Sequence, residues 1–348
     1  FALEPWDWSY YAERVRQSRF ELDEQALRPY FALDRVRDGA FWVANRLYGI
    51  TFTELDGLPV YSPEVKAFEV KDADGSHLAV FYADYHPRPG KRGGAWSSRY
   101  RGTWVEKGVS VRPVVVNVCN FSRPAGDAPA LLSIEEVETL FHELGHGLNS
   151  ILSKVRYRGL SSPPRDFVEL PSQIMENWAT EPEVLKSYAK HYQTGETIPL
   201  ELVEKVRQSR KFNQGFATVE YLAASYLDMD WHTLAEAKEH DPVAFEKASM
   251  ERIGLPRAIE TRYRTPFFRH IFSGGYSAGY YAYIWAEVLS SDAFAAFQEK
   301  GLFDPATARS FRTNVLEKGA SEDVAELYRR FRGRDPVVGP LLERRGLK

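Results

Sequence analysis

The sequence predicts a mainly α-helical protein with one small β-sheet, which lies just before a long central helix. Three observations support this fold class. Apolar residues recur at the helical period of 3.6 in residues 7–48 and in nearly all of the chain after Ser133. Residues 60–121 instead carry β-branched runs and turn signals. No Ser/Gly-rich linker divides the 348 residues, so we expect a single lobe over residues 1–348.

The helical parts have recognisable start and stop signals. Asp7 is a suitable N-cap for the first helix, and the pattern runs to the cluster Phe41-Trp42-Val43. Ser133-Ile-Glu-Glu136 is a capping box, in which a serine and a glutamate satisfy each other's free amides, so a helix is predicted to begin there. Later helices are separated by short breaks at Pro163-Pro164, Ile198-Pro199, Gly254-Leu255-Pro256 and Gly274-Gly275.

The predicted sheet lies between these helical parts. Asp72-Ala-Asp-Gly75 is strong turn punctuation between residues 65–71 and 78–84, which predicts a hairpin. Residues 86–104 are rich in Gly, Pro and Arg, and we interpret them as a mobile basic loop. Residues 114–118 form a β-branched run that is typical of a buried strand. We further hypothesise that this strand pairs with an extended ligand.

Composition excludes several classes of function. The chain has 45 basic and 48 acidic residues. It therefore lacks the excess of basic residues that is typical of proteins that bind nucleic acid or an anionic membrane. No apolar run approaches the roughly 20 residues that span a bilayer, so we expect a soluble protein. The single Cys119 excludes an internal disulfide and favours a buried apolar role in a reducing compartment. The chain begins Phe1-Ala-Leu-Glu-Pro5 without a signal-peptide pattern, so we expect a cytoplasmic monomer cut from a longer chain.

The helix after Ser133 carries a metal-binding pattern. His142 and His146 are four residues apart, so their rings lie one turn above the other and can bind one metal ion. Glu143, one position round the helix, can act as the base that activates a water molecule. With 8 His and 48 acidic residues, chance would produce this pattern only about 0.025 times. The pattern therefore predicts a zinc site.

A catalytic zinc needs a third protein ligand. The metzincin pattern is excluded, because the two positions that it requires to be Gly and His are Asn149 and Leu152. Glu169 is the predicted third ligand, from a following helix that Asp166 can cap. Glu176, two turns further on, is either the alternative ligand or a residue that orients one of the histidines.

These motifs resemble the thimet oligopeptidase family of zinc peptidases, and most of all its bacterial peptidyl-dipeptidases. The similarity is carried from start to finish by Asn117-Val-Cys-Asn-Phe121, Phe141-His-Glu-Leu-Gly-His146, Arg165-Asp-Phe-Val-Glu169-Leu-Pro-Ser-Gln173, Phe212-Asn-Gln-Gly215, Leu227-Asp-Met-Asp-Trp-His232 and Arg344-Arg-Gly-Leu347. The resemblance implies a zincin-like catalytic lobe that holds one Zn²⁺, with the family's helical N-terminal half absent. Two positions depart from the family: Asn149 replaces a usual histidine, and residues 161–164 form a shorter loop.

Residues 270–287 are predicted to face the metal and to stabilise the oxyanion of peptide hydrolysis. Tyr276, Tyr280 and Tyr283 would share one helical face, and Gly274-Gly275 would allow a close approach of the backbone to a ligand. The residues alone leave the roles among the tyrosines open. The resemblance implies that Tyr276 and Tyr283 bind the tetrahedral intermediate, while His270 and Tyr280 position the substrate.

The sequence therefore predicts a zinc metallopeptidase that acts on short, unstructured peptides. The resemblance implies the release of dipeptides from free C-termini. One alternative is an oligopeptidase that cuts internal bonds, and another is an inactive remnant that binds zinc and peptides without turnover. Basic residues of the 86–104 loop are interpreted as solvated, or alternatively as steering a peptide carboxylate to the site: Arg88, Lys91, Arg92, Arg99 and Arg101.

Overall fold

A computed structural model describes residues 3–21 and 23–348 of the chain. Within them lie fourteen α-helices and seven β-strands, which confirms the predicted fold class. The helices are α1 (Trp8–Phe20), α2 (Glu24–Leu27), α3 (Leu33–Tyr48), α4 (Ile134–Leu152), α5 (Leu170–Ala179), α6 (Pro182–Tyr188), α7 (Leu200–Ser209), α8 (Gln214–His232), α9 (Pro242–Arg252), α10 (Arg269–Phe272), α11 (Ala282–Lys300), α12 (Pro305–Phe311), α13 (Val324–Arg332) and α14 (Gly339–Arg344). The strands are β1 (Thr51–Glu54), β2 (Lys66–Lys71), β3 (His77–Asp84), β4 (Trp96–Arg101), β5 (Trp104–Glu106), β6 (Val109–Val111) and β7 (Val114–Val118).

The central helix α4 begins where its capping box predicts. The Glu136 amide donates to Ser133 Oγ at 3.2 Å, and the Ser133 amide donates to Glu136 Oε2 at 2.8 Å. The four predicted breaks also fall between helices. Asp7 stands at the N-cap position of α1, as predicted, but its carboxylate makes no capping hydrogen bond to that helix and instead accepts the amide of Glu4 at 3.1 Å.

The main sheet has the strand order β1-β2-β3-β7-β4. The hairpin predicted around Asp72–Gly75 joins β2 and β3, and Gly75 has the positive φ of 82° that this turn requires. Strand β7 pairs with β3 in parallel and with β4 antiparallel. Both edges of β7 are therefore occupied, and the hypothesis that residues 114–118 pair with a ligand is wrong. The free edge on this side of the sheet belongs to β4.

The loop predicted over residues 86–104 is only partly a loop, because it contains β4 and begins β5. Because the segment is rich in glycine and arginine, the strand could not be recognised from the sequence. The solvated interpretation is also wrong for Lys91, whose side chain is 3% exposed and donates to Asp84 Oδ1 at 2.8 Å. Arg88 pairs with the same carboxylate at 2.7 Å. The Asp84 carboxylate thus holds the beginning of the 86–104 segment in place through its ion pairs with Arg88 and Lys91.

The core forms where α4 packs between the sheet, α3 and α5. Cys119 is fully buried in this cluster, as predicted. A second, smaller cluster is centred on α8 and α10 and contains Tyr221, Leu227, Phe268 and Tyr280. This cluster includes Tyr280, which belongs to the segment that joins α10 to α11. Each cluster positions one side of the site described below.

Helix α14 packs on α11 near the end of the chain. Leu341 is buried there, and Arg345 forms an ion pair with Glu287 of α11. Arg344 extends further, so that its Nη2 lies 3.7 Å from Glu176 Oε2 on α5. Among the described residues, the length and apolarity needed to cross a membrane are found in none of the helices.

Candidate active site

Helices α4 and α5 cross with their backbones in contact, and Gly145 makes this possible. A Cβ atom at Gly145 would lie only 2.2 Å from the carbonyl oxygen of Pro171. Because α5 begins at Leu170, the preceding Glu169 occupies its N-cap position and lies over α4. The predicted cap Asp166 lies in the turn before the helix and does not cap it, because α5 starts later than its sequence pattern suggests.

The predicted metal ligands converge on one point. Glu169 Oε2 lies 3.4 Å from His142 Nε2 and 3.1 Å from His146 Nε2. The candidate ligand atoms of all three residues lie within 4.8 Å of one another. Glu169 is 1% exposed, and the Ser172 hydroxyl donates to its Oε2 at 3.0 Å. Two imidazole nitrogens and a carboxylate oxygen form the donor set that catalytic zinc sites use, so these residues fit a zinc ion.

Glu176 contacts the ring nitrogen of His142 that faces away from Glu169. Its Oε1 lies 2.7 Å from His142 Nδ1, which leaves Nε2 directed at Glu169. Burial alone would lower the pKa of His142, but hydrogen bonds to Glu169 and Glu176 outweigh it and hold that pKa well above its usual value. Of the two roles predicted for Glu176, the structure therefore favours the orienting one.

Glu143 lies beside this group and has the properties of a general base. The residue is 5% exposed, and its Oε2 is buried without a hydrogen-bond partner among the described residues. Burial raises the pKa of Glu143, although the neighbouring histidines oppose the shift. A buried carboxylate oxygen without a partner is costly unless a ligand or water supplies the missing bond. The site thus contains a buried acceptor that a ligand or a water molecule can satisfy.

Tyr276 and Tyr283 form the wall that faces the metal group. Their rings stack with centroids 5.1 Å apart, and the Tyr276 hydroxyl donates to Glu169 Oε1. The helical face predicted for residues 276–283 is wrong, because α11 begins only at Ala282. Gly275 has a φ of 80° and Ala278 a φ of 50°, so the chain forms a tight turn before the helix. Burial raises the pKa of both phenols, which therefore stay protonated as donors.

The other predicted residues of this segment differ in position. His270 and Gly274 line the cleft, and burial together with the charge of Arg262 lowers the pKa of His270. Tyr280 does not line the cleft, since it is 2% exposed and packs in the second core cluster. A Cβ atom at Gly275 would lie 2.9 Å from the Arg165 guanidinium. The close approach that the backbone makes at Gly275 is therefore to Arg165 of this chain.

These residues enclose an open cleft of about 600 Å³. Its walls are the metal group with Glu143, the edge strand β4, and the segment from His270 to Tyr283. Its volume lies within the range of ordinary ligand-binding clefts, about 300–1,000 Å³. Its chemistry combines a potential metal, a buried base and two phenolic donors.

Comparison with known proteins identifies the family. The model of peptidase family M3 matches residues 1–347. The chain belongs to peptidase family M3. The resemblance read from the motifs is confirmed.

Individual relatives add detail. The dipeptidyl carboxypeptidase of Escherichia coli (strain K12) is 46% identical, over 100% of this chain and 51% of that protein. Oligopeptidase A of the same organism is 39% identical, over 99% of this chain and 52% of that protein. The chain thus spans about half the length of the curated relatives it matches. A solved oligoendopeptidase F has a TM-score of 0.56 at 15% identity, covering 97% of this chain and 54% of its own, which concerns the fold alone.

Sequence analysis missed the residues that hold the tyrosine wall of this M3 peptidase in place. Asp228 is fully buried, and its two oxygens accept the amides of Ala278 at 2.9 Å and Tyr280 at 2.8 Å. It also contacts His232 at 2.8 Å, and their spacing of four residues was the available signal. Gln173 donates to the carbonyl of Tyr283 at 3.0 Å, which ties α5 to α11.

Asn149 has a structural contact in this M3 chain. Its Nδ2 donates to the carbonyl of Leu316 at 3.1 Å, at the end of a π-helical turn over Arg312–Leu316. The same turn is tied to the β2–β3 hairpin, because Arg312 pairs with Asp72 at 2.6 Å. The far end of α4 is therefore anchored to the C-terminal region.

Proposed function

We propose that this chain is a zinc-dependent peptidase that releases dipeptides from the C-termini of short, unstructured peptides. One observation carries the proposal: His142, His146 and Glu169 face one another within a few ångströms, beside the unpartnered carboxylate oxygen of Glu143. Membership of peptidase family M3 supports the same reaction class.

In this proposal the three ligands would hold zinc, which when bound supplies Lewis-acid polarisation of a carbonyl and acidification of water. Glu143 accepts the proton of the attacking water and passes it to the leaving amine. The raised pKa of this buried carboxyl suits a group that both accepts and returns a proton. Tyr283, protonated and stacked on Tyr276, donates a hydrogen bond to the developing oxyanion.

The edge strand β4 accounts for the preference for unstructured peptides. Residues 96–99 line the cleft, and β4 pairs only with β7 among the described strands. An extended peptide can add to such an edge through backbone hydrogen bonds, whereas a folded chain has already used its own backbone groups. Substrates would therefore be recognised mainly by main-chain geometry.

The variant Glu143→Gln tests the chemistry. It keeps the shape of the side chain but removes the base, so we expect peptide hydrolysis to fall by about 10²–10⁴-fold while zinc stays bound. The matched control is Glu135→Gln, which changes an exposed glutamate in the first turn of the same helix. Metal analysis and a quenched-fluorescence peptide assay provide the two measurements. Wild-type turnover in Glu143→Gln would end the proposed mechanism.

Two other functions are separated by defined substrates. The 39% identity to oligopeptidase A favours internal cleavage as the second candidate. C-terminally amidated peptides distinguish it, because an internal peptidase still cuts them and a dipeptide-releasing enzyme does not. A third candidate is a protein that binds zinc and peptides without turnover. A zinc-loaded, well-folded chain that cuts neither peptide would support that candidate.

A further inference from the structure

Lys91 is a buried cation that has no part in the proposed reaction. Its side chain is 3% exposed, and its Nζ lies within hydrogen-bond distance of four oxygen atoms. Three are the backbone carbonyls of Asp84 at 3.1 Å, His86 at 2.8 Å and Cys119 at 2.5 Å, and the fourth is Asp84 Oδ1 at 2.8 Å. Because an ammonium group has three N–H donors, the chain itself engages all of them and leaves none for a ligand.

Neutralisation of Asp84 does not account for this lysine. Arg88 already pairs with both oxygens of the Asp84 carboxylate, at 2.7 and 2.9 Å. Lys91 is therefore a second cation on one carboxylate. Burial of a charge costs free energy, and an apolar side chain of similar volume in its place is often neutral or stabilising. The contacts that distinguish Lys91 from Arg88 are its hydrogen bonds to the carbonyls of His86 and Cys119.

These carbonyls belong to the ends of two neighbouring strands. β3 ends at Asp84 and β7 ends at Val118, and the two strands pair in parallel. The carboxyl ends of parallel strands lie at the same edge of a sheet. His86 follows the end of β3 and Cys119 follows the end of β7, so Lys91 joins both ends. It fixes the chain to the sheet just before the chain enters the cleft.

The residues that follow Lys91 form one side of the cleft. All of residues 92–99, which we call the cleft edge, line it. The beginning of the cleft edge has little packing of its own. A Cβ atom at Gly93 or Gly94 would have no atom of the described residues within 4 Å, apart from those of its chain neighbours. Glycines in open space leave the backbone free to adopt many conformations, so this stretch depends on anchors elsewhere.

A second anchor, Asn120, acts on the same stretch. Its Nδ2 donates to the carbonyls of Arg92 at 3.0 Å and Gly94 at 2.7 Å. Asn120 directly follows Cys119, so both anchors attach the cleft edge to the end of β7. Strand β7 in turn packs against α4, the helix that carries the two histidines of the metal group. The distance between the cleft edge and the metal group is therefore set through β7.

We propose that Lys91, assisted by Asn120, is a positioning residue for the peptide substrate, because it holds the cleft edge at a fixed distance from the metal group. The inference rests on the proposed function and adds residues that decide substrate affinity without touching the substrate. A peptide that adds to β4 must form several hydrogen bonds at once, each with a donor–acceptor distance of about 2.7–3.2 Å. A cleft edge that is free to shift would lose part of this binding, while the metal group stays in place.

Peptide binding and zinc retention, measured in parallel, test this role. Lys91→Met keeps most of the side-chain length and removes the charge and its donors. In the zinc-loaded Glu143→Gln background, where a fluorescent pentapeptide is bound but not cut, we expect the dissociation constant to rise about 10–100-fold. Zinc retention against a chelator should not change. In the otherwise wild-type chain, KM should rise to a similar extent while kcat stays within about 3-fold.

The matched control is Lys66→Met, which changes an exposed lysine on β2 of the same sheet and should alter none of these quantities. Unchanged peptide affinity in Lys91→Met would overturn the inference, and so would a parallel loss of zinc and peptide. The double variant Asp84→Asn, Lys91→Met separates position from charge. It should still bind peptide weakly, whereas recovery of the full affinity would show that Lys91 only balances Asp84.

Asn120→Ala keeps the inference testable if Lys91→Met does not fold, because it removes the second anchor without leaving a charge unpaired. We expect peptide affinity to fall about 3–10-fold at full zinc content, and unchanged affinity would overturn the role of these anchors. Binding needs no turnover. A wild-type chain that binds the peptide with the predicted dependence on Lys91 but cuts nothing would reject the proposed function and keep this inference, whereas a zinc-loaded chain that binds no peptide would reject both.

Discussion

Replacing Gly145 with alanine would force the metal helix and the Glu169 helix apart. The new Cβ atom would lie 2.2 Å from the Pro171 carbonyl oxygen and 2.6 Å from the Ser172 Cα atom. Both are backbone atoms, so no side chain can rotate to relieve the clash. An ordinary contact requires α5 to move away by about 1 Å. Glu169 directly precedes α5 and would move with it.

The expected effects follow from this displacement. Overpacking of a tight interface costs about 1–3 kcal/mol, while Gly→Ala inside a helix gains about 0.5–1 kcal/mol, so the free energy of unfolding should fall by about 1–2 kcal/mol. The Glu169 oxygen now lies 3.1 Å from His146 Nε2, and a shift of about 1 Å would spoil the ligand geometry. Misplacement of this size typically costs about 100-fold in activity.

Urea unfolding, zinc retention against a chelator and kcat/KM measure these effects in parallel. Gly215→Ala is the control, because nothing lies within 4 Å of a Cβ atom at that position on α8. It should be neutral or slightly stabilising, with unchanged zinc retention. Wild-type stability and zinc retention in Gly145→Ala would refute the close crossing of α4 and α5.

Three further substitutions test other parts of the site and fold. Glu176→Gln removes the charge that faces His142 Nδ1, so zinc affinity measured by chelator competition should fall about 10–100-fold; unchanged affinity would contradict the orienting role. Asp228→Asn weakens the buried carboxylate that accepts the amides of Ala278 and Tyr280. We expect the free energy of unfolding in urea to fall by about 1–3 kcal/mol, and kcat/KM to fall at full zinc content. A wild-type kcat/KM would show that the turn does not need this anchor. Asp72→Asn should destabilise the chain at pH 7, because hydrogen bonds from Arg312 lower the pKa of Asp72. That stabilisation is present above the ordinary carboxyl pKa and is lost as the pH falls through the lowered one. The stabilities of the two proteins should therefore converge in acid, and a difference in urea unfolding that stays constant with pH would count against this ion pair.

Local patterns predicted the metal helix, because its signals lie within a few turns of one another. The capping box at Ser133 and the His142–His146 spacing depend only on helical periodicity, and both are present in the structure. Glu169 could be placed because a zinc site needs a third ligand, although the start of its helix was predicted too early. Helix boundaries respond to tertiary packing, here the crossing at Gly145.

The residues that sequence analysis misjudged depend on contacts between distant parts of the chain. Strand β4 is held by β7, and nothing in its Gly- and Arg-rich surroundings indicates that partner. The turn before α11 is fixed by hydrogen bonds from the amides of Ala278 and Tyr280 to Asp228, which lies 50 and 52 residues earlier, so the predicted helical face of tyrosines is wrong. Asn149 finds its acceptor at Leu316. Pairings between residues that are this far apart produce no periodic pattern in the sequence.

The position of α14 has a consequence for how the protein matures. Arg344 reaches Glu176, which orients His142, and α14 rests on α11, which in turn packs against α5. During synthesis α4 emerges well before α14, because almost 190 residues separate the end of α4 at Leu152 from the start of α14 at Gly339. Nascent chains that still lack α14 would therefore hold Glu176, and with it the His142 ring, less firmly, and the group of His142, His146 and Glu169 would reach its final geometry only after α14 has docked on α11.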